Sequence, residues 1–227
     1  MILLELFSGT QSVGKVFKEK GWEVISLDIM KKYNPTITTD ILNWEGYKEL
    51  PKIDFIWASP PCNSFSTLAI SCKTRDWYSL EPLKKNAELG NKILNRTLEI
   101  IKYLLDKNKD LLFVIENPFG MMYRMPIINS FNKELTYYCH YGFEWKKATH
   151  FFNNFTNGLN LNKEKITKEK QKTLKSVVKL PLKDRYSIPP KLIETIYNSY
   201  MEQYTIIPRI EYSFEYTDAM ILIRPSS

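Results

Sequence analysis

The sequence predicts an α/β domain: a mainly parallel sheet with helices on both faces. Three observations carry that prediction. Short apolar runs alternate with helical stretches through the first 120 residues. The runs at 53–59 and 110–118 are apolar almost throughout, as strands buried on both faces must be. Polar signatures, "FSG", "SLD", "SPPC" and "ENP", stand at the ends of four of these runs, where an open parallel sheet collects its ligands.

Taken in order, "ILLEL" (2–6) is the first strand. It carries Glu5 and no basic leader or cleavage site, so it does not read as a signal peptide. A Gly-Ser turn follows, then a helix over "SVGKVFKEKG" that Gly21 closes. "WEVISLD" (22–28) is the second strand and ends on an acid; after "YNPTITTDI" (33–41), "IDFIWAS" (53–59) is the third. Residues 85–107 place Leu89, Ile93, Leu94, Ile101, Leu104 and Leu105 on one side at helical spacing. "DLLFVIENP" (110–118) is a buried strand halted by proline. The aromatic-polar alternation of 135–154 predicts further strands, and 185–204 begins a helix near Pro190.

A chain of 227 residues, 44% hydrophobic and 25% charged, fits one globular domain and excludes a disordered one. No apolar run reaches membrane-spanning length, so no membrane partner and an intracellular location are expected. Lys and Arg outnumber Asp and Glu by 32 to 25. The excess is concentrated in 157–183, which holds eight Lys against two Glu. A solvated lysine run and a polyanion-binding segment both fit that pattern. Cys62, Cys72 and Cys139, with His140 and His150, lack four-ligand zinc spacing, so no metal is expected. Sparse, odd-numbered cysteines suit a reducing compartment.

The strand ends carry the chemistry. Gly9 lets a ligand approach the backbone at a helix N-terminus, although such turns alone are common connections. Asp28 lies one strand later, where a carboxylate accepts ribose hydroxyls. Asp40 could face an adenine amino group or simply cap a helix. Cys62 follows Pro60 and Pro61, which fix the backbone, and polar Asn63, Ser64 and Ser66 surround it. A buried small hydrophobe is the bland reading of any free cysteine, and it is the one expected for Cys72 and Cys139. A nucleophilic Cys62 needs a site that favours the thiolate through helix amides or a cation. Glu116 ends an apolar strand, where desolvation favours the protonated form that can donate to a ring nitrogen. Its alternative is a helix cap.

Together these residues resemble the cytosine-5 DNA methyltransferases, especially the compact phage and viral type. "LELFSGTQSVG" is similar to their cofactor motif, "SPPCNSFS" to the Pro-Pro-Cys nucleophile motif and "VIENPFG" to the Glu-Asn motif. "YGFEWKKATHFF" and "YSIPPKLIETI" stand where the basic and the last family motifs fall. The resemblance implies a Rossmann-like fold and S-adenosyl-L-methionine as cofactor. Phe7, Ser8, Gly9, Thr10, Asp28, Ile29, Asp40, Ile41 and Pro60 would hold that cofactor. Catalysis would use Cys62 as nucleophile on C6 of a flipped cytosine, Glu116 as donor to N3, Asn117 to position them, and Lys147 where the family places an arginine. The implied organisation is a catalytic domain over 1–154, a short Lys-rich segment over 155–184 in place of a target-recognition domain, and a segment over 185–227 packing back. DNA is the implied partner. RNA, such as tRNA, is the alternative substrate, a catalytically silent nucleic-acid-binding homologue the alternative class. The missing recognition region points to weak sequence discrimination, or to discrimination supplied by the C-terminal 24 residues, by a specificity-conferring partner or by a homo-oligomer. Gln11 stands in place of a family glycine, where its side chain would crowd the cofactor unless it points outward. Trp145 and Thr149 replace a glutamine and a second arginine.

Overall fold

The structure, a computed structural model, describes residues 1–206 together with 212–217 and 220–225. Among these, seven strands form one sheet: β1 (Ile2–Leu6), β2 (Glu23–Asp28), β3 (Ile37–Thr38), β4 (Phe55–Ala58), β5 (Leu112–Pro118), β6 (Asn132–Tyr137) and β7 (Ala148–Asn153). Their order is β3-β2-β1-β4-β5-β7-β6. β1 pairs in parallel with both β2 and β4, and β4 in parallel with β5. β7 runs antiparallel between β5 and β6. This is the mainly parallel, Rossmann-like α/β sheet that the sequence predicts. The chain leaves β1 toward β2 and β3 on one side, then returns to build β4 and β5 on the other. The loops after β1 and β4 therefore diverge and leave a crevice at that switch point.

Period-two alternation divides the strand residues between two cores. Leu4, Leu6, Ile56, Ala58, Phe113 and Ile115 face α3 (Lys85–Lys107) through Leu94, Leu98, Ile101 and Leu104. Leu3, Phe55, Trp57, Leu112 and Val114 face α1 (Ser12–Glu19) and α6 (Pro190–Ile206). Phe17 of α1 stacks on Phe55 at 5.5 Å and meets Tyr197 of α6 edge-on, which clamps both helices to the sheet. α1 stops as expected, with Gly21 at φ 80 donating to the Lys18 carbonyl.

Some expectations change. Leu89 is 47% exposed, because the apolar face of α3 is set by Ala87, Leu94, Leu98 and Ile101 instead. Cys72 is exposed in the turn after α2 (Thr67–Ser71), not in the core, whereas Cys139 is buried. The 135–154 stretch is two strands separated by a 3-10 turn over 138–141, which Gly142 ends at φ 96. The segment expected to begin at 155 starts inside the α6 core, where Phe155, Leu159 and Leu161 are buried. Only the lysine-bearing part, with α4 (Lys168–Thr173) and α5 (Leu182–Tyr186), lies on the surface. In the C-terminal segment, α6 packs against α1, and β8 (Tyr212–Thr217) pairs with β9 (Met220–Pro225). Residues 207–211, 218–219 and 226–227 lie outside the described residues.

Candidate active site

The loop after β1 turns sharply. Phe7, Gly9 and Gln11 all adopt positive φ, at 60, 45 and 58°. For a non-glycine residue that conformation costs roughly 1–2 kcal/mol, so the loop is held open by its contacts. Gly9 N–H donates to Asp28 Oδ2 at 2.8 Å and Met30 N–H to Oδ1 at 2.7 Å. Asp28 thereby joins the glycine loop to the turn after β2, with acceptor capacity to spare. Gln11 points away from the loop, its Nε2 donating to the carbonyls of Tyr33 and Asn34. Ser8 Oγ is buried without a hydrogen-bond partner. Below the loop, Glu5 accepts from Gly14 N–H at 3.2 Å, and burial pushes its carboxyl up to about 8. A Cβ on Gly14 would stand 2.6 Å from that carboxylate, so only glycine fits there without movement. Asp40 caps a 3-10 turn, accepting from Leu42 N–H at 3.0 Å, so the capping reading holds.

Beyond β4, Pro60 and Pro61 lead to Cys62, the first residue of a 3-10 turn over 62–64. Phe65 and Ser66 N–H both donate to the Cys62 carbonyl. Three neighbours brace this loop. Asn117 Nδ2 donates to the Pro60 carbonyl at 3.0 Å. Gly120 brings its backbone so close that a Cβ there would lie 2.0 Å from the Phe65 oxygen. Arg75, buried and 4.5 Å over the Phe65 ring, donates to the carbonyls of Ser64, Leu80 and Ala87 and to Asn91 Oδ1. Its burial lowers the guanidinium to about 10, with only the charge of Glu81 opposing.

Glu116 sits on β5 two residues beyond Val114, hence on the α1 and α6 face, and is 5% exposed. Tyr138 Oη donates to its Oε1 at 3.1 Å, and Lys147 Nζ lies 3.7 Å from the same oxygen. Lys147 also stands 4.7 Å over the Tyr138 ring and donates to the Arg185 carbonyl. Burial and the neighbouring carboxylate hold the Tyr138 phenol well above its ordinary range, so it stays a donor. The thiol of Cys62 departs from expectation: burial, then the charge of Glu116, push its pKa up, and Lys147 only partly opposes them. A three-residue turn offers little dipole to offset that burial.

One cavity of about 680 Å³ connects these parts. Phe7, Ser8, Gly9, Thr10, Asp28, Ile29, Asp40, Ile41 and Pro60 line it together with Cys62, Glu116 and Lys147. Asn117 does not; it is fully buried behind the wall, gripping Pro60. Val178, Leu182, Arg185 and Tyr186, from the lysine-rich side, close the remaining wall. Sequence reasoning missed Tyr138, Arg75 and Arg185, which no local motif marks; the β6–β7 pairing and the loop fold bring them in. Among the described residues no cluster of three His, Cys, Asp or Glu side chains could hold a metal ion, and no helix is long and apolar enough to cross a membrane.

Comparison with known proteins gives a relative of the kind that the motifs resemble. Over 123 residues the chain is 38% identical to a probable DNA (cytosine-5)-methyltransferase of Frog virus 3, a match covering 52% of this chain and 54% of that protein. The chain thus spans about half the length of this curated relative. No protein-family model matches. Among solved structures, the S. pombe Dnmt2 methyltransferase aligns with 78% of this chain and 59% of its own, at 15% identity and a TM-score of 0.47. The Entamoeba histolytica methyltransferase EhMeth aligns with 74% of this chain and 57% of its own, at 15% identity and a TM-score of 0.47.

Proposed function

We propose that the chain is an S-adenosylmethionine-dependent DNA methyltransferase that modifies C5 of cytosine through a covalent bond to Cys62. The observation that carries this reading is the single cavity that joins the glycine loop and Asp28 to Cys62, Glu116 and Lys147. The name of the viral relative supports DNA as the substrate. The residues present fit an adenosyl cofactor. Ser8 Oγ is a buried polar atom without a partner, Gly9 offers bare backbone, and Asp28 keeps acceptors for a ribose. Bound S-adenosylmethionine would supply an electrophilic methyl group.

The chain's own side chains supply the rest. A cytosine reaches so enclosed a nucleophile only outside its stack. Cys62 gives up its proton to solvent, and the thiolate adds to C6. The electron pair displaced from the C5–C6 bond makes C5 nucleophilic and places negative charge toward N3. Glu116 takes up a proton from solvent and donates it to N3. Tyr138 and Lys147 hold the carboxyl in place, and their positive or donor groups stabilise it once the proton has left. Once C5 bears the methyl group, loss of its proton to solvent expels the Cys62 thiolate, N3 returns its proton to Glu116, and the ring is restored. Asn117 fixes the nucleophile loop by its hold on Pro60.

Incubation with labelled S-adenosylmethionine and cytosine-containing DNA should place label in 5-methylcytosine. Cys62→Ala should abolish it, and Glu116→Gln should slow it by about 10²–10⁴. Label that persists in Cys62→Ala, or none in DNA with the native protein, contradicts the reading.

A further inference from the structure

Position 11 holds glutamine in a left-handed conformation, φ 58 and ψ 33, which favours glycine. Its side chain makes no helix cap; instead Nε2 donates to Tyr33 O at 2.7 Å and Asn34 O at 2.8 Å. Both acceptors belong to the turn after β2, more than twenty residues away, where Asn34 is itself left-handed at φ 52. Thr10 and Ser12 line the cavity from one lip, and Met30 and Tyr33 line it from the other. The Gln11 amide therefore bridges two lips of one cavity. Asp28 joins the same two loops deeper down, through Gly9 and Met30. A glycine would relieve the backbone at position 11 but could not make this bridge. Retaining a strained residue that makes two long-range hydrogen bonds points to a use for the bridge itself.

We propose that Gln11 is a positioning residue that latches the 31–34 turn over the bound cofactor and slows its release. This rests on reading the cavity as the S-adenosylmethionine site. The latch acts on the cavity rim and touches no reacting group, so it should hold S-adenosylmethionine and S-adenosylhomocysteine alike. Losing two hydrogen bonds of ordinary net strength should speed release by about tenfold.

The test is the dissociation rate of each cofactor from the full chain, by stopped-flow displacement, for the native protein, Gln11→Gly and Gln11→Ala. Both variants should release both cofactors about tenfold faster. Gln11→Gly, which frees the backbone, should melt within a few degrees of the native protein without ligand, so that a folding defect is not the cause. Amide hydrogen exchange over 31–34 should also quicken in Gln11→Gly. Release from Gln11→Gly at the native rate overturns the latch. A native protein that binds neither cofactor overturns the functional reading instead.

Discussion

Cys62 shows how a residue's type and its state are decided by different things. Two prolines and a strand end made it legible as a candidate nucleophile, because those are local features of "SPPCNSFS". Its protonation state was not legible, because it depends on Glu116 and Lys147, which lie far along the chain. Burial and the Glu116 carboxylate raise the thiol pKa, and Lys147 lowers it. The thiolate fraction therefore grows as pH rises, and at neutral pH most of this thiol is protonated. Alkylation of the Cys62 peptide by iodoacetamide, followed by mass spectrometry against pH, should show a midpoint above that of an ordinary thiol, about 8.5. Glu116→Gln should move it down and Lys147→Gln up. A native midpoint below that of an ordinary thiol would contradict the geometry. Tyr138 was invisible for the same reason: nothing in "YYCHY" marks one phenol over its neighbours until the sheet pairs.

At the scale of elements, the strands were legible because period and apolar continuity are properties of short windows. The bracing of the nucleophile loop was not. That loop is held by Asn117 and Gly120 from β5 and the turn after it, by Gly90 on α3, and by Arg75 from its own return path. Gly90 faces Ser64 so closely that a Cβ would lie 2.1 Å from its Oγ. Such contacts appear only once the elements pack. They predict that Gly120→Ala, which forces the Phe65 carbonyl away, displaces Cys62 while leaving the cofactor lip intact. Methyl transfer should fall by about 10², as expected for a displacement near 1 Å, with the cofactor dissociation rate unchanged. Transfer at the native rate would show that the loop does not need this contact.

At the scale of the molecule, the strand order explains why residues as distant as Gly9 and Ile188 line one cavity. The switch point between β1 and β4 opens the crevice, β5 delivers Glu116 beside it, and antiparallel β7 leaves Lys147 at its edge. The parallel core and the ligand end of the sheet were legible from the alternation of strands and helices. The lysine-rich segment was legible as charge but not as wall: its apolar residues Val178 and Leu182, both exposed, line the cavity that Lys147 also lines. Under the proposed function its lysines would offer phosphate contacts, which position a nucleic acid without reading its bases.

In the proposed reaction Cys62 bonds to C6 of a cytosine within this cavity. DNA carrying 5-fluorocytosine has no C5 proton to lose, so the adduct should be trapped. Incubated with the native protein and S-adenosylmethionine, it should yield a denaturation-resistant complex whose crosslinked peptide contains Cys62, and Cys62→Ala should yield none. A native protein that binds the cofactor yet forms no such complex, or forms one through another residue, would contradict the account.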